Sequence, residues 1–355
     1  MARDQPAWVN GSQYAALRAA AAALQVFSPA SNLAGARRIG RWMYAFDRRH
    51  RERAIENISR SMPELIGRPA AAPPLNGHGP GPRGEVERIA LASMQHFLQL
   101  GVEVLLTPRL VHRDTWPRMV NFVHHERALD LILSDHPVVM VTGHYGNWEV
   151  LGYALSLLGI DLAAIARPID NPLVNEYLMG VRRRNGMRII TKWGATDDMT
   201  GVLERGGTLG FIGDQNAGDK GLFVPFFGRL ASAYKSIGLL AIHYGAAVVC
   251  GYARRRSGAP FDFEVGIADV IEPADWRDRP DPLFYLTARY TRALETMVRQ
   301  APEQYLWIHR RWKSRPRFER EGKPMPERLR ESLRSLPWMD EGQIETLAAP
   351  APVPA

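Results

Sequence analysis

A chain of 355 residues with 46% hydrophobic and 23% charged side chains has room for one large α/β domain or two modest ones, and its composition excludes a disordered, collagen-like or multi-span membrane chain. The formal charge of +8, from 45 Lys+Arg against 37 Asp+Glu, admits nucleic acid, anionic membrane or acidic protein as a partner and by itself selects none. One cysteine, Cys250, excludes an internal disulfide and a cysteine-based zinc site, and the apolar run Ala246 to Val249 before it marks it as a buried small hydrophobe.

In chain order, no run reaches the roughly 18 consecutive apolar residues that a spanning helix needs. Tyr14 to Phe27, alanine-rich and broken by Arg18 and Gln25, reads as a helix that lies on a membrane surface or simply packs, so residues 1–66 are expected to be a helical, membrane-associating segment. Gly67 to Gly84, with Pro69, Pro73, Pro74, Pro80 and Pro82, reads as a flexible insertion. From residue 85 to 336, apolar strand-like runs alternate with helical patterns. The strand candidates are Val138 to Thr142, Leu162 to Ala166, Met187 to Thr191, Thr208 to Gly213, Ala246 to Tyr252 and Phe261 to Ile267. The helix candidates are Glu85 to Leu106, Trp148 to Leu158, Leu173 to Arg184, Asp197 to Arg205, Tyr234 to Tyr244 and Leu283 to Arg299. Arg255 to Pro260 reads as a hairpin connection, and residues 337–355, rich in Pro and Ala, as a disordered tail. The alternation predicts an α/β fold with a mixed, largely parallel central sheet flanked by helices, its functional loops at the carboxyl ends of the strands.

Four segments carry candidate chemistry. Val138 to Thr142 runs into Gly143-His144-Tyr145-Gly146-Asn147-Trp148-Glu149, which presents a histidine on a glycine-flanked loop with a carboxylate at the start of the next helix. A general base has this form, since histidine titrates near neutrality and a carboxylate can fix its tautomer; a structural strand-end histidine is the plainer alternative. Thr208 to Gly213 ends in Asp214-Gln215-Asn216 and is followed by Val224-Pro225-Phe226-Phe227-Gly228, a polar strand end beside an apolar and aromatic run expected to be exposed. A capping Asp before an ordinary hydrophobic hairpin is the alternative. Arg167-Pro168-Ile169-Asp170-Asn171-Pro172 follows a strand, and Arg167 there is placed to clamp a phosphate or polarise an oxyanion, with Arg182, Arg183 and Arg184 on the next helix, most of them a solvated face. Gln304 to Pro316 interleaves Trp307 and Trp312 with Arg310, Arg311 and Lys313, which suits a membrane interface, single-stranded nucleic acid, or a final strand with packed tryptophans. Phosphate-loop, dinucleotide, zinc-protease and serine-elbow signatures are absent from the sequence.

In this order, Thr142 to Glu149, Arg167 to Pro172, Asp214-Gln215, Val224 to Gly228 and Pro302 to Lys313 resemble the lipid A biosynthesis acyltransferase family, the late lauroyl/myristoyl transferases, whose relatives acylate phosphatidylinositol mannosides. Upstream, Arg53 to Ile58 and Met62 to Leu65 resemble the family's first cytoplasmic segment. The sequence departs from the family at Leu230-Ala231-Ser232-Ala233, where a proline and a threonine are missing, and in the 67–84 insertion. The resemblance implies that residues 85–336 form an acyltransferase domain with a glycerolipid-acyltransferase-like fold, with His144 as catalytic base and Glu149 as its partner carboxylate. It further implies that Asn147, Arg167, Asn171, Arg182, Asp214, Gln215, Phe226, Phe227, Arg310, Arg311 and Lys313 contact substrate.

What is then expected is transfer of a fatty acyl chain from an acyl thioester, acyl carrier protein or acyl-CoA, to a hydroxyl of a lipid A precursor-like glycolipid. The setting is the cytoplasmic face of a bacterial inner membrane, with peripheral or weak anchoring and with no bound cofactor, metal or nucleic acid. A lysophospholipid, aminolipid or phosphatidylinositol mannoside acceptor is the alternative, and a non-catalytic protein binding anionic lipid or nucleic acid the remote one. Two flanks hold much of the positive charge: Arg37 to Arg60 has eight arginines against Asp47, Glu52 and Glu56, and Arg310 to Arg334 has ten Lys+Arg against four glutamates. Both are expected to face anionic lipid or an acidic carrier.

Overall fold

The computed structural model describes residues 6–68, 84–183, 187–191, 195–256 and 259–349. The chain opens with helices α1 (Ala7–Val26), α2 (Pro29–Phe46), α3 (Arg48–Ser61) and α4 (Glu85–Leu110), then the single turn α5 (Trp116–Met119), β1 (Val120–Val123) and α6 (Glu126–Leu133). The central alternation runs β2 (Val138–Thr142), α7 (Trp148–Leu157), β3 (Leu162–Ala166), α8 (Pro172–Arg183), β4 (Arg188–Thr191), α9 (Ala195–Glu204) and β5 (Thr208–Ile212). A hairpin of β6 (Leu222–Phe226) and β7 (Arg229–Ala233) leads to α10 (Lys235–Tyr244), β8 (Ala247–Arg255) and β9 (Phe263–Ile271). The chain closes with α11 (Pro273–Trp276), α12 (Pro282–Gln300), α13 (Arg317–Arg320), α14 (Glu327–Arg334) and α15 (Glu341–Ala348).

Seven strands form one sheet in the order β1-β9-β8-β2-β5-β3-β4. The strands β8, β2, β5, β3 and β4 are mutually parallel, β9 runs antiparallel to β8, and β1 is parallel to β9. The mixed, largely parallel sheet is therefore the one expected from the alternating pattern. Successive side chains point to opposite faces, and both faces are covered: Val139, Val141, Val248 and Cys250 enter one core, Val138, Met140, Ala247 and Val249 the other. Cys250 is buried as expected, and burial pushes its thiol up.

The helix α4 is long and apolar enough to cross a membrane by length and composition, yet half of its most apolar window is buried in the protein. Its polar residues explain this. Ser93, His96 and Glu103 lie on one buried stripe, and each bonds to the loops at the sheet's carboxyl edge.

Several expectations are corrected. The tail is not disordered through residue 349: Asp340 caps α15 in a reciprocal capping box with Gln343, and Ile344 and Leu347 on its inner face are buried. Trp307 and Trp312 lie in the core rather than at a surface, Trp312 stacked on Phe226 with ring centroids 5.6 Å apart. The 304–316 segment follows the 3-10 turn Pro302–Gln304 and, apart from one isolated bridge of Tyr305 to Tyr145, is turns and irregular chain, not a strand. Most of the C-terminal positive flank is spent internally, in the pairs Arg315–Glu319, Arg317–Glu321, Arg320–Asp219 and Arg334–Glu341. The insertion expected at 67–84 falls almost wholly outside the described residues, as does Arg184.

Candidate active site

Parallel register builds the centre of the site. Thr142 pairs with Ile212, so two residues beyond the strand ends the same register brings His144 opposite Asp214. The imidazole Nδ1 lies 2.7 Å from Asp214 Oδ1, and the His144 backbone N–H donates to Oδ2 at 2.8 Å. Gly143 permits the close approach, since a Cβ there would stand 3.2 Å from that same Oδ2. Burial alone would raise the Asp214 carboxyl, but its interactions with His144 outweigh burial and hold it well below the usual carboxylate range. An ionised Asp214 accepts only, so Nδ1 carries the proton and Nε2 of His144 is left as an acceptor.

The loop that carries His144 is tied down along its length. The Gly146 N–H donates to Gln304 O at 2.9 Å, Asn147 N–H to Ala253 O at 2.6 Å, and Leu306 N–H to His144 O at 3.0 Å. Gly146 has a φ of +59°, and a Cβ there would meet Ala253 O at 2.0 Å, so only glycine fits. Beneath it, buried Glu103 accepts from Asn147 Nδ2 at 2.9 Å and from Arg255 Nε at 2.7 Å. His96 Nε2 sits 3.0 Å from Gly146 O; burial, with Arg255 adding to it, pushes this histidine down to about 3.

Around the ring, Trp148 stands edge-on at 5.0 Å and His309 at 4.3 Å between centroids. Burial, reinforced by His144, pushes His309 down to about 4, so at neutral pH it is an uncharged neighbour. Asn57 and Arg53 of α3 hold its segment, donating to the carbonyls of Trp307, Ile308 and His309.

Next to Trp148 opens a cavity of about 80 Å³ between the sheet and α7 and α8. Met140, Leu162, Met187 and Phe211 make its apolar wall; Thr142, Glu149 and Arg182 make its polar end. Glu149 and Arg182 form a bidentate pair, Arg182 Nε donating to Oε2 at 2.9 Å.

The partner carboxylate of His144 is thus Asp214 and not Glu149, whose two oxygens are both taken by Arg182. Arg182 lies with Glu149 at the polar end of the cavity. Asn147 instead caps α7, accepting from Val150 N–H, and Asn171 heads α8, accepting from Leu173 and Val174 N–H while donating to Asn10 and Gln13 of α1. Both are buried and their polar atoms are engaged within the fold. Phe226 and Phe227, expected on an exposed run, are core residues, because the β6–β7 hairpin folds onto α12 and Trp312. Arg311 is buried with Nη1 on Ser232 O, Arg310, Lys313 and Gln215 are exposed, and the Arg167 side chain is 78% exposed with Asp170 3.8 Å away. Sequence reasoning missed His309, His96, Glu103 and Arg255. The legible signal was a lone glutamate, Glu103, inside an apolar helix.

A sequence model described as "Bacterial lipid A biosynthesis acyltransferase" matches residues 82–314, more than half of the chain. The upstream segment Arg53 to Leu65 lies outside that match. Among curated relatives, the "Lipid A biosynthesis lauroyltransferase" of Escherichia coli (strain K12) is 28% identical over 213 residues, covering 57% of this chain and 66% of the relative. The "Lipid A biosynthesis palmitoleoyltransferase" of the same organism is 30% identical over 181 residues, covering 50% and 56%. The "Lipid A biosynthesis acyltransferase" of Shigella flexneri matches to the same extent. The chain therefore spans between about half and two thirds of the length of the curated relatives it matches.

Proposed function

From the bacterial lipid A biosynthesis acyltransferase family, to which the chain belongs, we propose that it moves a fatty acyl chain from an acyl thioester to a hydroxyl of a lipid A-like glycolipid. The donor is acyl carrier protein or acyl-CoA, and the setting is the cytoplasmic face of a bacterial inner membrane. The observation that carries the reading is the buried His144–Asp214 pair beside an apolar cavity with a polar end.

With Nδ1–H held by Asp214, His144 Nε2 takes the proton of the acceptor hydroxyl as that oxygen attacks the thioester carbonyl. The C–O bond forms, the tetrahedral intermediate collapses with loss of the C–S bond, and the thiolate leaves as a thiol with the proton returned by His144. Asp214 stays ionised and stabilises the imidazolium while it exists. The hydrocarbon and sulfur part of the cavity wall suits the first few methylenes of an acyl chain, and Trp148 touches both the cavity and the His144 ring.

The test is His144→Ala assayed with acyl carrier protein and acyl-CoA donors against a panel of glycolipid, lysophospholipid and aminolipid acceptors. A folded variant is expected to lose transfer by about four orders of magnitude, the size of the general-base and nucleophile-activation effects combined. Substantial transfer by that folded variant would refute the mechanism, and the acceptor consumed by the wild type names the substrate.

A further inference from the structure

The helix α2 presents two different faces. Leu33, Ala36 and Gly40 are buried, and at Gly40 the approach to α4 is so close that a Cβ would stand 2.5 Å from the Gln95 backbone. On a second face Ile39, Trp42 and Phe46, spaced three and four apart, are 54%, 67% and 85% exposed. With Met43, and with Asp47, Arg48 and Arg49 where α3 begins, they line an open groove of about 690 Å³. Isolated exposed hydrophobics are ordinary, but a contiguous tryptophan, phenylalanine and isoleucine row on one helix is not.

The charge around this row differs from that of the other basic flank. Arg48 pairs with Glu52 and Arg51 donates to the Tyr44 and Ala45 carbonyls, whereas Arg37, Arg38 and Arg41 form no ion pair within 4.0 Å among the described residues, and Arg49 has only a longer-range attraction to Asp47. Guanidinium groups without a close ion pair beside exposed aromatic and aliphatic tips fit one surface better than others. A second copy would bring like charges together, and an acidic protein would satisfy the arginines but not the apolar row. An anionic bilayer satisfies both, with Trp and Phe at the headgroup boundary and Arg on lipid phosphates.

We propose that the α2–α3 corner, through Ile39, Trp42 and Phe46 flanked by Arg38 and Arg49, is the surface on which the protein docks on an anionic lipid bilayer. The surface is continuous with the site through α3: the helix that starts at Arg48 also carries Arg53 and Asn57, which hold the His309 segment against His144. The inference rests on the lipid-acceptor reading and deepens it by naming a face that meets the lipid.

The test is sedimentation of the full chain with vesicles of phosphatidylcholine containing phosphatidylglycerol, and with phosphatidylcholine alone. Trp42→Ala/Phe46→Ala should lower partitioning to the anionic vesicles about tenfold, since it removes most of the apolar row from the contact. Arg38→Glu/Arg49→Glu should abolish the preference for phosphatidylglycerol, and both pairs should melt like the wild type because the side chains are exposed. Wild-type sedimentation by the Trp42/Phe46 variant would overturn the proposal. So would vesicle binding retained while binding to an acidic acyl carrier protein is lost, which would assign the corner to a protein partner. His144→Ala should bind vesicles as the wild type does, so failure of the acyl-transfer reading and failure of this one are told apart.

Discussion

The loop after β2 and the loop after β3 leave the same carboxyl edge of the sheet, on either side of β5, and each carries a polar motif; one is buried and the other is exposed. In the first, His144, Tyr145, Gly146 and Asn147 are all buried, and backbone bonds tie them to β8 and to the 304–306 segment. In the second, Arg167 and Asp170 are 78% and 53% exposed and 3.8 Å apart, and only Asn171 turns inward, to head a helix. A place at the carboxyl edge therefore does not by itself take a motif out of water. What separates the loops is cover: the first lies under the C-terminal segment and over the Glu103–Arg255 pair, where a charge is desolvated and its partner matters.

The sharpest way to break this contrast is at Asp214. Asp214→Asn keeps the shape but removes the ionised acceptor on Nδ1, so kcat should fall by about 10³ to 10⁴ with the fold intact by circular dichroism. A kcat within tenfold of the wild type would mean that the buried pair orients nothing, and the distinction between the loops would lose its chemical basis.

The Glu149–Arg182 pair lies between the two extremes, partly buried at the cavity end. Glu149→Gln should cost about 10- to 100-fold in kcat/KM, the scale of a misplaced binding wall rather than of a lost base. Adding Arg182→Met should restore part of the loss, because the single change strands a partly desolvated guanidinium. Additive losses in the double variant would instead mean that the two side chains act separately.

Burial also predicts how the two regions respond to acid. His96 and His309 have folded values pushed down to about 3 and about 4, while an unfolded histidine titrates near 6.5. Their neutral forms contribute stability that is fully present above about pH 6.5 and is lost as the pH falls towards those folded values. The melting temperature should thus drop by several degrees between neutral pH and pH 5. His96→Gln, whose amide can still donate to Gly146 O, should flatten that slope, and an unchanged slope would show that the β2 loop is not the acid-labile region.

Much of the frame was legible because short apolar runs bounded by polar residues read as strands: β2 and β3 have the expected limits, and β5 differs by one residue. Less legible was β9, which extends past the expected Ile267 to Ile271 across Asp269, a charged residue whose partner Arg289 comes from α12. The site was half legible. His144, Asp214, Glu149 and Arg182 all stood out, but their pairing depends on strand order, and nothing local states that β2 lies beside β5, whose end carries an aspartate 70 residues further along. The nearer carboxylate in sequence, Glu149, is on the first turn of α7 and turns to Arg182. Long-range pairing likewise hid Glu103 and Arg255, separated by 152 positions.

The smallest expected effect tests the other loop. Arg167→Ala should change kcat and KM by less than about twofold, because a largely exposed guanidinium paired loosely with another exposed side chain is screened by solvent and contributes little to binding or stability. The prediction is pointed because the sequence alone marks Arg167 as a candidate to clamp a phosphate or polarise an oxyanion. An increase in acceptor KM of more than about tenfold with kcat unchanged would mean that the exposed side chain meets the acceptor headgroup from outside the cavity. The loop after β3 would then be a binding element, and burial would no longer separate the working edge of the sheet from the idle one.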